Sequence, residues 1–112
     1  MKVNLKKLAE KLPEFDFVNL EDVNITGVSY DTRTIEKGDI FFPLKGENFD
    51  GHDFIPHAFE GGAVVSMCDS KHFEQYCNRN EPIIIVNNIE EGLEKIVNVL
   101  FADILTLINT SL

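Results

Sequence analysis

The chain has 112 residues, 44% of them apolar and 26% charged, which predicts one compact domain and leaves no length for a second. Its formal charge of −9, from 10 Lys and Arg against 19 Asp and Glu, argues against a nucleic-acid binder, because affinity for a phosphate backbone rests on a surplus of cations. A small phosphorylated ligand is still permitted, since it needs only a local cation and a few aimed N–H groups.

Leu5, Leu8 and Leu12 recur at helical spacing with lysines on the other face, predicting a helix over 4–12 that Pro13 stops. The stretch 1–7 is basic but lacks the apolar core and cleavage site of a secretory signal, so a cytoplasmic location is expected. After a polar connection, 25–30 is a predicted strand, broken at Asp31-Thr32-Arg33. Glu36-Lys37-Gly38-Asp39 turns the chain into Ile40-Phe41-Phe42-Pro43-Leu44, an apolar run too short for a helix and expected to be a buried strand. These two strands are close enough in sequence to predict a hairpin.

Residues 45–51 form a glycine-punctuated loop. Asp50 or His52 is placed to cap a helix carrying Phe54, Ile55, Ala58 and Phe59, which Gly61-Gly62 ends. A strand at 63–67, a short helix at 71–78 and a β-branched strand at 82–86 follow. From Ile89 onward, Leu93, Ile96, Val97, Leu100, Phe101, Ile104, Leu105 and Ile108 make one long helical stripe. Strands alternating with helices give a single layered α/β domain, with a mixed sheet flanked by helices. Asn98, Asp103 and Asn109 interrupt the most apolar segment, so no membrane span is expected.

Cys68 and Cys77 have neither partners nor spacing for a disulfide framework or zinc cage, and read as reduced thiols, Cys68 as a packed core residue. None of Ser29, Ser66, Cys68 or Cys77 sits in an elbow motif, so no nucleophile is singled out. His52, Asp53 and His57 have the composition of a metal set. On a helix, however, positions 52 and 57 point about 140° apart, and no metal is expected.

The densest polar cluster is Asp31-Thr32-Arg33 with residues 45–53, both at strand ends where α/β folds place ligands. Thr32 offers a hydroxyl, Arg33 and Lys45 offer charge, and Gly46 and Gly51 would let backbone N–H groups approach an anion. Equally, Arg33 could pair with Asp31 or Asp39 while the glycines only turn the chain. The spacing Gly46-x4-Gly51 matches the opening of a P-loop, but His52-Asp53 stand where Lys-Ser/Thr is required. Phe49, in a polar loop, is the aromatic residue best placed to stack on a base or sugar.

D-T-R at 31–33, G-D-I-F at 38–41, K-G-E-N-F-D-G-H-D-F at 45–54, then Ala58 and G-G-A at 61–63, resemble the N-terminal domain of the Mur ligases. These ATP-dependent enzymes add amino acids to UDP-N-acetylmuramoyl peptides in peptidoglycan synthesis. The pattern is most similar to the D-alanyl-D-alanine-adding type (MurF), with the diamino-acid-adding type (MurE) second. The resemblance implies a domain that holds the UDP end of a UDP-N-acetylmuramoyl-peptide and does no chemistry itself. It implies contacts from Tyr30, Asp31, Thr32 and Arg33, and from Lys45, Gly46, Glu47, Asn48, Phe49 and Asp50; because two anions repel, Asp31 is expected to orient Arg33 or a backbone turn rather than touch phosphate.

In such ligases ATP and Mg²⁺ belong to a central domain that opens with G-T-[NS]-G-K-T. The sequence ends at Thr110-Ser111-Leu112 before any such motif, so the chain alone is expected to bind substrate without ligating it, and residues 101–112 are atypical of the family. The rival expectation is an interaction module that dimerises or docks through the apolar stripe 93–108.

Overall fold

Three short apolar runs set the centre of the molecule. In the computed structural model, which describes residues 1–76 and 79–102, they are the strands β5 (Asp39–Phe41), β6 (Val65–Asp69) and β7 (Ile83–Val86). Before them come β1 (Val3–Asn4), α1 (Leu5–Lys11), β2 (Asp16–Val18), β3 (Asn24–Ile25) and β4 (Gly27–Ser29). A 3₁₀ turn (Gly51–Phe54) leads into α2 (Ile55–Glu60), and α3 (Phe73–Tyr76) and α4 (Ile89–Leu100) complete the described elements.

The main sheet has five strands in the order β2-β7-β6-β5-β4. β4, β5, β6 and β7 are mutually parallel, and β2 closes one edge antiparallel to β7. β1 and β3 pair in a separate two-stranded ribbon. The layered α/β fold with a mixed sheet is therefore as expected, but the predicted hairpin is not: β4 and β5 run parallel, Gly27 opposite Asp39 and Ser29 opposite Phe41. The predicted strand 25–30 is also divided at Thr26 between the two sheets.

Alternation along the strands sends side chains to opposite faces. Ile40, Val65, Met67, Ile84 and Val86 meet Leu5, Leu8, Ile96 and Leu100 from α1 and α4 on one face. Phe41, Cys68 and Ile83 meet Ile55 and Ala58 of α2 on the other. Leu93, Val97, Val99 and Phe101 also pack on the first core, so the described part of the apolar stripe is occupied by the chain's own interior. Ile104, Leu105, Ile108 and Cys77 lie outside the described residues. Among the described residues, no helix is long and apolar enough to cross a membrane.

Local chemistry explains the helix starts. The Asn4 side chain accepts from the Lys6 and Lys7 N–H groups, and Asn88 accepts from Glu91 N–H, each satisfying donors that the first turn leaves open. Gly38 adopts φ +94°, and a Cβ there would run into Thr26 Oγ1. Gly38→Ala should therefore cost about 1–3 kcal/mol, checked as a lowered thermal midpoint. An unchanged midpoint would show that the 36–39 turn relaxes freely.

Candidate functional site

β4 and β5 end side by side, and the segments leaving their carboxyl ends open a cleft of about 450 Å³, a size suited to a small organic ligand. Tyr30, Asp31, Thr32 and Arg33 form one wall, Phe49, Gly51 and Phe54 line it as well, and Phe41 reaches it from the core. Tyr30, Phe49 and Phe54 are 69%, 57% and 40% exposed. Three large rings left in solvent around one cleft are unusual for residues that could have been buried, and mark a surface suited to an apolar, planar group.

Asp31 organises the cation. Its Oδ1 accepts from Arg33 N–H at 2.9 Å, and its carboxylate takes Arg33 Nε at 3.0 Å and Nη2 at 2.7 Å. The Arg33 side-chain hydrogen bond holds the Asp31 carboxyl down at about 2, and the same contact raises Arg33. Both groups are thus ionised at neutral pH. A guanidinium has five N–H donors, so a fork held through Nε and Nη2 still has its Nη1 donors to offer a ligand. The two sequence readings of Arg33, ion pair and anion contact, are compatible in this geometry.

The loop 45–51 is a small hairpin rather than an anion cradle. Lys45 and Asp50 form an isolated bridge, Gly46 N–H donates to Phe49 O at 2.9 Å, and Gly51 N–H donates to Leu44 O at 2.8 Å. The two glycine amides expected to approach an anion are spent inside the loop. The glycines serve close contacts: the Phe49 ring lies against Gly46, and a Cβ at Gly51 would meet Leu44 and Pro43 backbone at 2.6–2.8 Å. With these donors engaged and His52-Asp53 following, the loop does not fit the phosphates of ATP.

The hairpin divides the candidate residues. Phe49 faces the first cleft with residues 30–33, whereas Lys45 and Asp50 line a neighbouring cavity of about 250 Å³ with His52, Asp69 and His72. Glu47 and Asn48 are exposed at the hairpin tip, and Gly46 lies under Phe49. Asp53 and His57 are exposed and away from that second group; His57 packs beside Phe54. His52 instead meets His72, ring centroids 4.1 Å apart and nearly parallel, with Asp50 and Asp69 around them. The sequence pairing of 52 with 53 and 57 is thereby replaced.

A family model described as "Mur ligase family, catalytic domain" matches residues 24–104. The chain belongs to the Mur ligase family. It is 35% identical over 92 residues to the UDP-N-acetylmuramoyl-L-alanyl-D-glutamate--2,6-diaminopimelate ligase of Clostridium tetani, covering 81% of this chain and 19% of that one. It is 47% identical over 49 residues to the UDP-N-acetylmuramoyl-tripeptide--D-alanyl-D-alanine ligase of Synechocystis, covering 44% and 11%. A crystal structure of MurF from Acinetobacter baumannii superimposes with a TM-score of 0.67 at 21% identity, over 86% of this chain and 20% of that one. The chain thus spans between about a tenth and a fifth of these Mur ligases.

Cys68 matches its expected role as a packed core thiol. It is fully buried, and burial, with Asp69 and Asp50 nearby, pushes its thiol up to about 12, leaving little thiolate at neutral pH. Phe41 and Phe54 both line the cleft, Phe41 from its place in the core and Phe54 from the surface. Asp53, just before Phe54 in the chain, is the local polar signal for that exposed ring, whereas Ile55 after it is buried. His72 had no signal, being 20 residues from His52 in sequence.

Proposed function

We propose that this Mur ligase chain holds the UDP end of a UDP-N-acetylmuramoyl-peptide for a peptidoglycan-synthesis ligase and performs no chemistry itself. The observation that carries this is the cleft at the carboxyl ends of β4 and β5, where exposed rings and an oriented guanidinium sit together. Uracil is planar and would stack on Phe49 beside Tyr30 and Phe54. The diphosphate would take Arg33 Nη1 and the Thr32 hydroxyl. Rings, a hydroxyl and a paired cation recognise and hold. The names of the relatives support the substrate class, since each begins with a UDP-N-acetylmuramoyl group.

On this reading ATP and Mg²⁺ are bound by another part of a larger ligase, and the ligated peptide end leaves the cleft toward it. The protein works in the cytoplasm, where UDP-linked substrates are made. Titration of the labelled chain with a UDP-sugar tests the proposal. Amide shifts confined to 30–33 and 45–54 are expected, and no shift at millimolar ligand would refute it.

A further inference from the structure

Asp50, His52, Asp69 and His72 line one side of the second cavity, and their hydrogen bonds fix their protons. Asp69 N–H donates to His52 Nε2 at 3.0 Å, so that nitrogen is unprotonated and Nδ1 carries the hydrogen, which goes to Asp50 Oδ1 at 2.8 Å. Both nitrogens of His72 face carboxylates, Nδ1 to Asp69 Oδ1 at 2.7 Å and Nε2 to Asp50 Oδ2 at 2.9 Å. Carboxylates only accept, so His72 donates twice and is an imidazolium. Asp50, His52 and His72 have the composition of a metal set. Yet the lone pair of His52 is given to a backbone N–H on its far side, and a bound cation would have to displace a proton from each ring.

We propose that His72 is a positioning residue whose protonation latches the hairpin 45–51 to the end of β6 and so sets the ligand affinity of the first cleft. The mechanical link is short. Asp50, which His72 grips from 22 positions away, is the foot of the hairpin, bridged to Lys45 and capping the 3₁₀ turn through His52 N–H. Phe49 is its neighbour in the chain and lies against Gly46 across the same hairpin. When His72 loses its proton, one of its two carboxylate contacts loses its donor and the two anions face each other unscreened. Asp50 then keeps its bonds to His52, which still reaches Asp69 N–H, but loses the direct grip of His72, so the foot of the hairpin loosens and Phe49 shifts with it.

Other charges adjoin the latch without replacing it: Lys45 from the hairpin, Lys71 after β6 and Glu90 at the start of α4 line the same cavity. The hydrogen bond that His72 donates to the Asp69 carboxylate is the leading influence raising it above its usual 6.5, against a smaller opposing effect of burial. Burial pushes Asp50 and Asp69 upward, but hydrogen bonds from His52 and His72 outweigh it and hold both below 3.8. A raised histidine contributes stability fully present below 6.5 and lost as pH rises through its folded value. Lowered carboxylates contribute stability present above 3.8 and lost as pH falls through theirs. The latch is complete between those limits and opens on the alkaline side.

The inference rests on the UDP reading only for its ligand. The test titrates the full chain from about pH 6 to about 8.5, a range in which the diphosphate diester of UDP-N-acetylglucosamine keeps its charge, following the His72 ring and the Phe49 and Asp50 amides by NMR. Those amides should shift with the same midpoint as His72, and affinity for the sugar nucleotide should fall about fivefold or more across it. His72→Gln should lose that step and bind at the weak, high-pH level throughout. Asp69→Asn, which keeps its backbone donor, should retain the step with its midpoint moved to lower pH.

Phe49 and Asp50 amides that ignore His72 would overturn the latch whether or not the ligand binds. An affinity step that survives in His72→Gln would overturn it too. Zinc that binds both imidazoles tightly would replace it with a metal site. A sugar nucleotide that fails to bind at any pH, while the amides follow His72, would instead refute the UDP reading.

Discussion

Phe41→Ala should remove about 3–5 kcal/mol of folding stability, the usual cost of deleting a buried aromatic ring. Phe41 is 1% exposed and sits between the sheet and α2, against a cluster that includes Ile55, Ala58, Cys68 and Ile83. A domain of this size has about 5–15 kcal/mol in total, so the loss is a large share. Urea unfolding should show a lower midpoint with an unchanged slope. Phe41 also lines the cleft, so whatever fraction of the variant stays folded should bind UDP-sugars more weakly. A destabilisation below about 1 kcal/mol would mean that the second core is looser than its packing implies.

Arg33→Ala should weaken UDP-sugar binding by about 1.5–3 kcal/mol, the range for a hydrogen bond to a charged group, which is about 10- to 150-fold in affinity. Folding stability should change little, because the Arg33 side chain is 88% exposed and its ion pair with Asp31 lies at the surface. The two readouts separate the roles of the residue. Lost stability with unchanged affinity would make the Asp31–Arg33 pair a turn-holding device. Lost affinity with unchanged stability assigns Arg33 to the ligand. Arg33→Lys should recover only part of the binding, since a single ammonium cannot both pair with Asp31 through a fork and present a second edge.

The layered fold, the helix over 4–12, the helix from Ile89 and the core thiol at Cys68 were legible in the sequence because hydrophobic periodicity is a local signal; the caps at Asn4 and Asn88 were not read from it. The direction of β4 against β5 was not. Sequence separation suggested a hairpin, but the connection 30–38 leaves through the Asp31 turn, places Ile35 against Gly61 and returns through Gly38, whose N–H donates to Gly62 O. Nine residues reach about 30 Å when extended, ample to lead a three-residue strand back to its start. β2 was read as a polar connection, because Asp16-Phe17-Val18 is too short to display a period and owes its strand form to pairing with β7.

The site divides in the same way. Residues 30–33 and Phe49 line one cleft, and their charge and ring in turn-rich segments are features visible in one dimension. Lys45, Gly46 and Asp50 came with them as neighbours in sequence, yet the hairpin bonds turn Lys45 and Asp50 toward the second cavity. His72 joins that cavity only through the parallel alignment of β5 and β6, which sets the ends of the two strands beside each other. No pattern within either segment encodes that meeting.

A crystal structure of the chain soaked with a UDP-sugar tests the central claim most directly. The account predicts the uracil ring against Phe49 in the cleft at the ends of β4 and β5, with a diphosphate oxygen in hydrogen-bond contact with Arg33 Nη1. A nucleotide bound in the second cavity, or a first cleft left empty at saturating ligand, would contradict it.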